Sequence, residues 1–261
     1  MTKVYTIISG KGGVGKTTTT INLATSLNYL GEKVVIVDAN LTTPNVGIHL
    51  GAPIVPITIN HVLNNPIKFE DAIYEHESGT KVMPASLSLR ETEKINYNKL
   101  PELIRKIRKI TDYIFIDSAA GLGEEARAAI DSCDEIIIVT NPEMSSVTDA
   151  LKTIKLAEER GKPIVGVILT RYRGKPYEMS IPNIRDMLEA PILGIIPEDD
   201  AIKISQYLKN SVIHTHPRSK AAKNYFSISK KLLGENANLI NSNEIGIIKK
   251  ILQTIGLAWK I

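Results

Sequence analysis

Cysteine is almost missing: Cys133 is the only one in 261 residues. No internal disulfide can form, and no cysteine-built zinc or iron–sulfur site can be assembled. This usage fits a reducing cytoplasm, and Cys133, set in the passage DSCDEIIIV, reads as a small buried hydrophobe. Long apolar runs are absent too, since no segment approaches the ~18 consecutive apolar residues of a membrane span. The apolar start, MTKVYTIISG, passes straight into glycines and reads as a first strand rather than a signal peptide. Charge of one sign is scarce: a net +4 is too mild to argue for nucleic acid by itself. The five histidines form no cluster, and His214 and His216 alternate in what reads as a solvent-facing loop before Pro217. There is no Ser/His/Asp or Cys/His constellation and no internal repeat. What remains is ordinary soluble composition, 43% hydrophobic and 23% charged, in a chain long enough to bury a core unaided.

Short β-branched runs at 4–9, 33–38, 113–117, 135–140, 164–170 and 192–196 alternate with helical patterns. The helical stretches fall near 17–30, 98–110, 122–132, 144–160, 181–189, 199–209 and 218–233. Near-continuous apolar strands are buried on both faces, as in a parallel sheet. The expected fold is therefore α/β, a doubly wound, mostly parallel sheet with helices on both faces. Residues 41–97 are periodic only in patches and suggest two short helices and a short strand near 81–83. Domain boundaries follow: 1–233 as one nucleotide-binding domain, 234–243 as a polar linker, and 244–261 as a separate helix.

The chemistry lies in Gly10-Lys11-Gly12-Gly13-Val14-Gly15-Lys16-Thr17, which matches G-x-x-x-x-G-K-[ST] between a strand and a helix. Its glycines let successive backbone N–H groups converge on phosphate oxygens, beside the positive end of a helix. Lys16 is expected at the β- and γ-phosphates, Thr17 on Mg²⁺, and Thr18 at the α-phosphate. The apolar strand ending in Asp117 offers the carboxylate that holds the metal's water shell, and Asp38 closes a second strand near the same edge. ATP and Mg²⁺ are the expected ligands.

With its additional Lys11, the run KGGVGKTT, taken together with VVIVDAN, FIDSAAG, TNPEMSSVTDA, ILTRY and GIIPEDD, resembles the MinD/ParA family of deviant Walker ATPases, its MinD branch most of all. The resemblance spans roughly residues 3–233 in family order. It implies an ATP-dependent homodimer with nucleotides sandwiched between subunits, where Lys11 serves the partner's phosphates. It also implies dimer contacts at Glu143 and Asp149, and adenine recognition by Thr170, Arg171, Pro197, Glu198 and Asp199. Lys11, Lys16, Asp38 and position 40 are then the candidate catalytic residues of an ATP-hydrolysing enzyme.

Position 40 departs from the family. The pattern after the second strand is Asp-x-Asp, whereas Asp38-Ala39-Asn40 ends in an amide. An amide carries no charge and is a poor proton acceptor, so ATP binding and pairing should persist while hydrolysis slows. Either the chain is slow by nature or it is a variant made to trap the ATP-bound dimer; an otherwise complete site favours the second.

The last 18 residues carry Lys249, Lys250 and Lys260 against Glu244, a net +2 and half of the excess +4. On a helical wheel Ile245, Ile247, Ile248, Ile251, Leu252, Ile255, Ala258 and Trp259 share one half, and Lys249, Lys250 and Lys260 lie opposite. A basic amphipathic helix with Trp on its apolar face suits an anionic bilayer interface, and the resembled MinD proteins end similarly. The function expected is a MinD-type ATPase, cytoplasmic and reversibly membrane-associated, that positions division or other machinery with an unidentified activating protein. The alternatives are a non-hydrolysing membrane scaffold and a ParA-type DNA-partition ATPase. The tail disfavours the latter, and no sequence-specific nucleic acid contact is expected.

Overall fold

The computed structural model describes residues 2–92 and 95–234. Eight strands form one sheet: β1 (Lys3–Ile8), β2 (Val34–Ala39), β3 (Tyr74–Glu75), β4 (Lys81–Met83), β5 (Tyr113–Ser118), β6 (Glu135–Thr140), β7 (Ile164–Tyr172) and β8 (Ile192–Pro197). Their order is β3-β4-β2-β5-β1-β6-β7-β8, parallel except for the β3–β4 pair. The expected doubly wound sheet is thus present, with all six anticipated strands. β3 went unforeseen, because two residues carry no readable periodicity.

The helices are α1 (Lys16–Tyr29), α2 (Val46–His49), α3 (Ile59–Asn64), α4 (Leu89–Thr92), α5 (Leu100–Ile107), α6 (Glu124–Ser132), α7 (Met144–Glu159), α8 (Ile181–Leu188), α9 (Asp200–Tyr207), α10 (Val212–Thr215) and α11 (Lys220–Leu232). Strand side chains alternate between two cores. Val4 and Ile8, Val35 and Val37, and Ile114 and Ile116 face the core built with α3, α5, α6, α7 and α8. Tyr5 and Ile7, Ile36, and Phe115 face the core built with α1, α10 and α11. Burying both faces requires apolar residues at consecutive strand positions, which is why these strands read as unbroken apolar runs.

Residues 41–97 hold more short pieces than expected: α2, α3, α4, a 3-10 turn at Phe69–Ala72 and the β3–β4 hairpin. His214 and His216, expected in a loop, lie in and directly after α10, which is capped by the Ser211 hydroxyl accepting from His214 N. His214 is half-buried and hydrogen-bonded to the Tyr29 hydroxyl, and burial lowers its pKa. α1 is unusual in having no exposed face at all from Lys16 to Leu27. It lies between the sheet and the α10–α11 pair, so its many threonines must find partners inside the protein.

Candidate nucleotide site

Between β1 and α1 the chain turns through residues 9–15, and two glycines there have backbone angles closed to other residues. Gly13 has φ 78° and Gly15 φ 92°, both left-handed. Gly10 is fixed by space instead: a Cβ there would stand 2.2 Å from the Asp149 carbonyl oxygen. The loop therefore starts flush against the backbone of α7. α1 begins directly after Gly15, so its free N–H groups point where phosphate would lie.

Lys16, Thr17 and Thr18 are all buried at this helix start. Thr17 Oγ1 donates to Asp117 Oδ2 at 2.6 Å, Thr20 Oγ1 lies 3.2 Å from Asp117 Oδ1, and Lys16 Nζ lies 3.8 Å from that oxygen. Asp117 sits beside Asp38 in the parallel register of β5 and β2. Both carboxylates are fully buried, with Lys16 the nearby cation. Burial first, and then repulsion from Asp117, push the Asp38 pKa up to about 8. Thr17 and Asp117 present hard oxygen donors on an acid-rich, phosphate-facing edge, a set that fits Mg²⁺ with water and phosphate completing its shell. No group of three or more His, Cys, Asp or Glu side chains placed to hold a metal occurs among the described residues.

The Asp38 carboxylate accepts from three backbone N–H groups. Oδ1 accepts from Asn40 N at 3.2 Å, and Oδ2 accepts from Asn45 N at 3.2 Å and Val46 N at 3.1 Å. It ties the loop after β2 to the start of α2. Asn40 is used at both ends of its amide: Nδ2 donates to the Thr43 carbonyl, and Oδ1 accepts from Thr43 Oγ1 at 2.9 Å. A carboxylate could make only the second of these bonds. Asn40 therefore closes the loop on itself.

Lys11 projects over the start of α7, its Nζ 3.7 Å from Glu143 Oε2 and 3.3 Å from Ser145 Oγ. The Lys11 and Glu143 side chains are 44% and 61% exposed, an open surface rather than a core. Asp149 is engaged within its own helix, pairing with Lys152 at 3.1 Å. Ser145 was not among the residues singled out in the sequence, because a serine in a helical first turn carries no distinguishing pattern.

A cavity of about 190 Å³ opens beside the loop, lined in part by Gly15, Thr18, Arg171, Pro197, Glu198 and Gln206. It gathers the residues expected around adenine from strand ends far apart in sequence, though not all in the same role. The Thr170 hydroxyl lies 2.5 Å from the Val14 carbonyl and 2.8 Å from Asn141 Oδ1, so it braces the phosphate loop. Asp199 is a double cap: Oδ1 accepts from Ala201 N at 3.0 Å and Oδ2 from Ala221 N at 3.1 Å, joining the starts of α9 and α11. Glu198 is held between Arg173 at 3.9 Å and Lys203 at 3.6 Å. Arg171 is exposed and has φ 54°, a strained backbone placed at the cavity mouth.

The tail residues Ile245, Ile248, Lys249, Lys250, Ile251, Leu252, Ile255 and Trp259, and the linker from 235 onward, lie outside the described residues. Among the described residues, no helix is long and apolar enough to cross a membrane.

Residues 1–233 match the ParA family model, described as NUBPL iron-transfer P-loop NTPase. The chain is 37% identical over 228 residues to an uncharacterized ATP-binding protein of Methanocaldococcus jannaschii, covering 87% of this chain and 86% of that one. It superposes with a TM-score of 0.85 on the septum site-determining protein MinD of Pyrococcus horikoshii complexed with Mg-ADP, at 36% identity, covering 89% and 96% of the two chains. The cell division ATPase MinD of Pyrococcus furiosus gives a TM-score of 0.86 at 35% identity, covering 90% and 99%.

Proposed function

Because the chain belongs to the ParA family of P-loop NTPases, we propose that it is a MinD-like ATPase that binds Mg-ATP, pairs with a second copy, and cycles on and off a membrane to position division or related machinery. The observation that carries this reading is the buried cluster of Lys16, Thr17 and Asp117 under a glycine-built anion cradle. The loop amides and Lys16 hold the β- and γ-phosphates, and Thr17 with water-mediated Asp117 holds the metal. Mg²⁺, when bound, neutralises charge on the transferring phosphoryl group. Lys11, on an exposed edge, is free to leave Glu143 and reach a partner's phosphates.

Residues 1–233 form the ATPase domain in this reading, 234–243 the linker, and 244–261 a basic amphipathic anchor. Two anchors in a pair raise the effective concentration of the second on the surface, so ATP-driven pairing becomes membrane binding. Turnover by an activating protein then releases both.

The closed Asn40–Thr43 loop favours a second reading, in which pairing and membrane binding occur with little hydrolysis. Turnover by Asn40→Asp separates the two: a faster Asp form assigns the slow step to position 40, and an equal rate removes that role. Co-sedimentation with anionic vesicles and ATP tests the main proposal. The full chain should pellet, and a chain lacking residues 244–261 should stay in solution. Equal pelleting of both would remove the anchor, and failure of Lys16→Ala to weaken ATP binding would remove the nucleotide site.

A further inference from the structure

Four consecutive threonines open α1, and their hydroxyl protons have different destinations. Thr17 donates to Asp117 Oδ2 at 2.6 Å. Thr20 donates toward the Lys16 carbonyl at 3.0 Å and Asp117 Oδ1 at 3.2 Å. Thr19 shares a bond of 3.2 Å with the buried Tyr225 hydroxyl. Thr18 is on the receiving side: Gln206 Nε2 donates to Thr18 Oγ1 at 2.9 Å.

A threonine hydroxyl owns one proton and two lone pairs. Gln206 occupies a lone pair and leaves the proton unspent. The usual internal outlet for a helical threonine is the carbonyl four residues back, here Val14, which accepts instead from Thr170 at 2.5 Å, while Thr18 Oγ1 bonds only Gln206 among the described residues. Thr18 and Gln206 both line the cavity beside Gly15, so the outlet that remains is an acceptor entering that cavity.

We infer that Gln206 is a positioning residue for the nucleotide: by donating to Thr18 it turns the Thr18 O–H outward as a donor to the α-phosphate of a nucleoside diphosphate or triphosphate. The inference rests on the reading that the phosphate loop holds a nucleotide. Gln206 suits the task because its amide supplies an uncharged N–H. A carboxylate at the same place would accept the Thr18 proton and so withdraw the donor from the phosphate. α9, which carries Gln206, is fixed at its start by Asp199, so the amide is presented from an anchored helix.

The test is calorimetric binding of ADP with Mg²⁺ to the full chain, alongside thermal melting without nucleotide. Gln206→Met, similar in length but without a donor, should weaken ADP about threefold to tenfold. Gln206→Glu should weaken it further, about thirtyfold or more at pH 8. Its deficit relative to the unmodified chain should shrink only as pH falls through about 4, where Glu becomes protonated and donates again. In a Thr18→Val background, Gln206→Met should bring no additional loss, while the nucleotide-free melting temperatures of Gln206→Met and the parent chain agree. Three results overturn the inference while leaving the site reading intact: equal ADP affinity for Gln206→Met and the parent, Gln206→Glu binding as well as Gln206→Met at pH 8, or a Met penalty that persists without the Thr18 hydroxyl. If the unmodified chain fails to bind ADP, the nucleotide reading falls first and the inference falls with it.

Discussion

At its phosphate end the site consists of one short stretch of backbone, residues 9–18, whose shape is dictated by glycines and by the start of a single helix. At its other end, the cavity proposed for the base, side chains and strand tips come together from β7, β8, α9 and α11, spread over residues 170–225. The first is a local structure that tolerates almost no change of residue type. The second is a meeting of distant parts, where individual residues share the task of holding the parts together. Damage should therefore be severe and specific at the phosphate end, and milder and spread between stability and binding at the base end.

The largest break is expected from Gly10→Ala. Its Cβ would meet the Asp149 carbonyl at 2.2 Å, so loop or helix must shift, at about 1–3 kcal/mol of overpacking. ADP affinity should fall by about a hundredfold, since a displaced loop misdirects several phosphate donors at once; an affinity within threefold of the parent would show the loop to be compliant. Next comes Asp117→Asn, which keeps the shape and removes the charge. It should abolish the Mg²⁺-dependent tightening of ADP, a loss of about tenfold, while metal-free binding stays close to the parent. Titrations with and without Mg²⁺ measure both.

Asp199→Ala probes the other end. Losing the α9 cap and the bond to Ala221 N of α11 should cost about 1–2 kcal/mol, a drop of about 2–8 °C in melting temperature at this size, with ADP affinity changed only a few-fold. A hundredfold loss of affinity with no change in melting would instead place its carboxylate on the nucleotide and erase the contrast between the two ends.

The last test concerns pH and is read in stability alone. With the Asp38 pKa raised to about 8 in the fold, against about 4 in the unfolded chain, the fold favours the protonated carboxyl. Stability from this source is complete below the unfolded value and is lost as pH rises from about 4 to about 8. Asp38→Asn should therefore gain in melting temperature relative to the parent across that window, measured without nucleotide or metal. A constant difference would mean that Asp38 is ionised throughout.

How much was legible follows the same division. The strands could be read because burial on both faces leaves unbroken apolar runs, and the phosphate loop because its backbone angles demand glycine at Gly13 and Gly15. Asp117 was visible as a carboxylate closing an apolar strand. The double cap by Asp199, the brace from Thr170 to Val14, and the bond from Gln206 to Thr18 were not legible. Each joins residues brought together only by the order of strands in the sheet, and neither Gln206 nor Thr170 departs from what its own helix or strand would accept. Asn40 was legible as an exception to a pattern, but its use in closing the loop on Thr43 needed the fold.

Gly10 and Asp149 touch with no side chain between them, and that bare contact has a mechanical consequence. Side chains between two elements act as springs, absorbing small movements by changing rotamer, whereas backbone against backbone has no such give. The front of the loop and the first half of α7 thus behave as one stiff bracket. A push on the exposed side of α7, beside Glu143 and Ser145, would pass into the loop with little of it absorbed on the way.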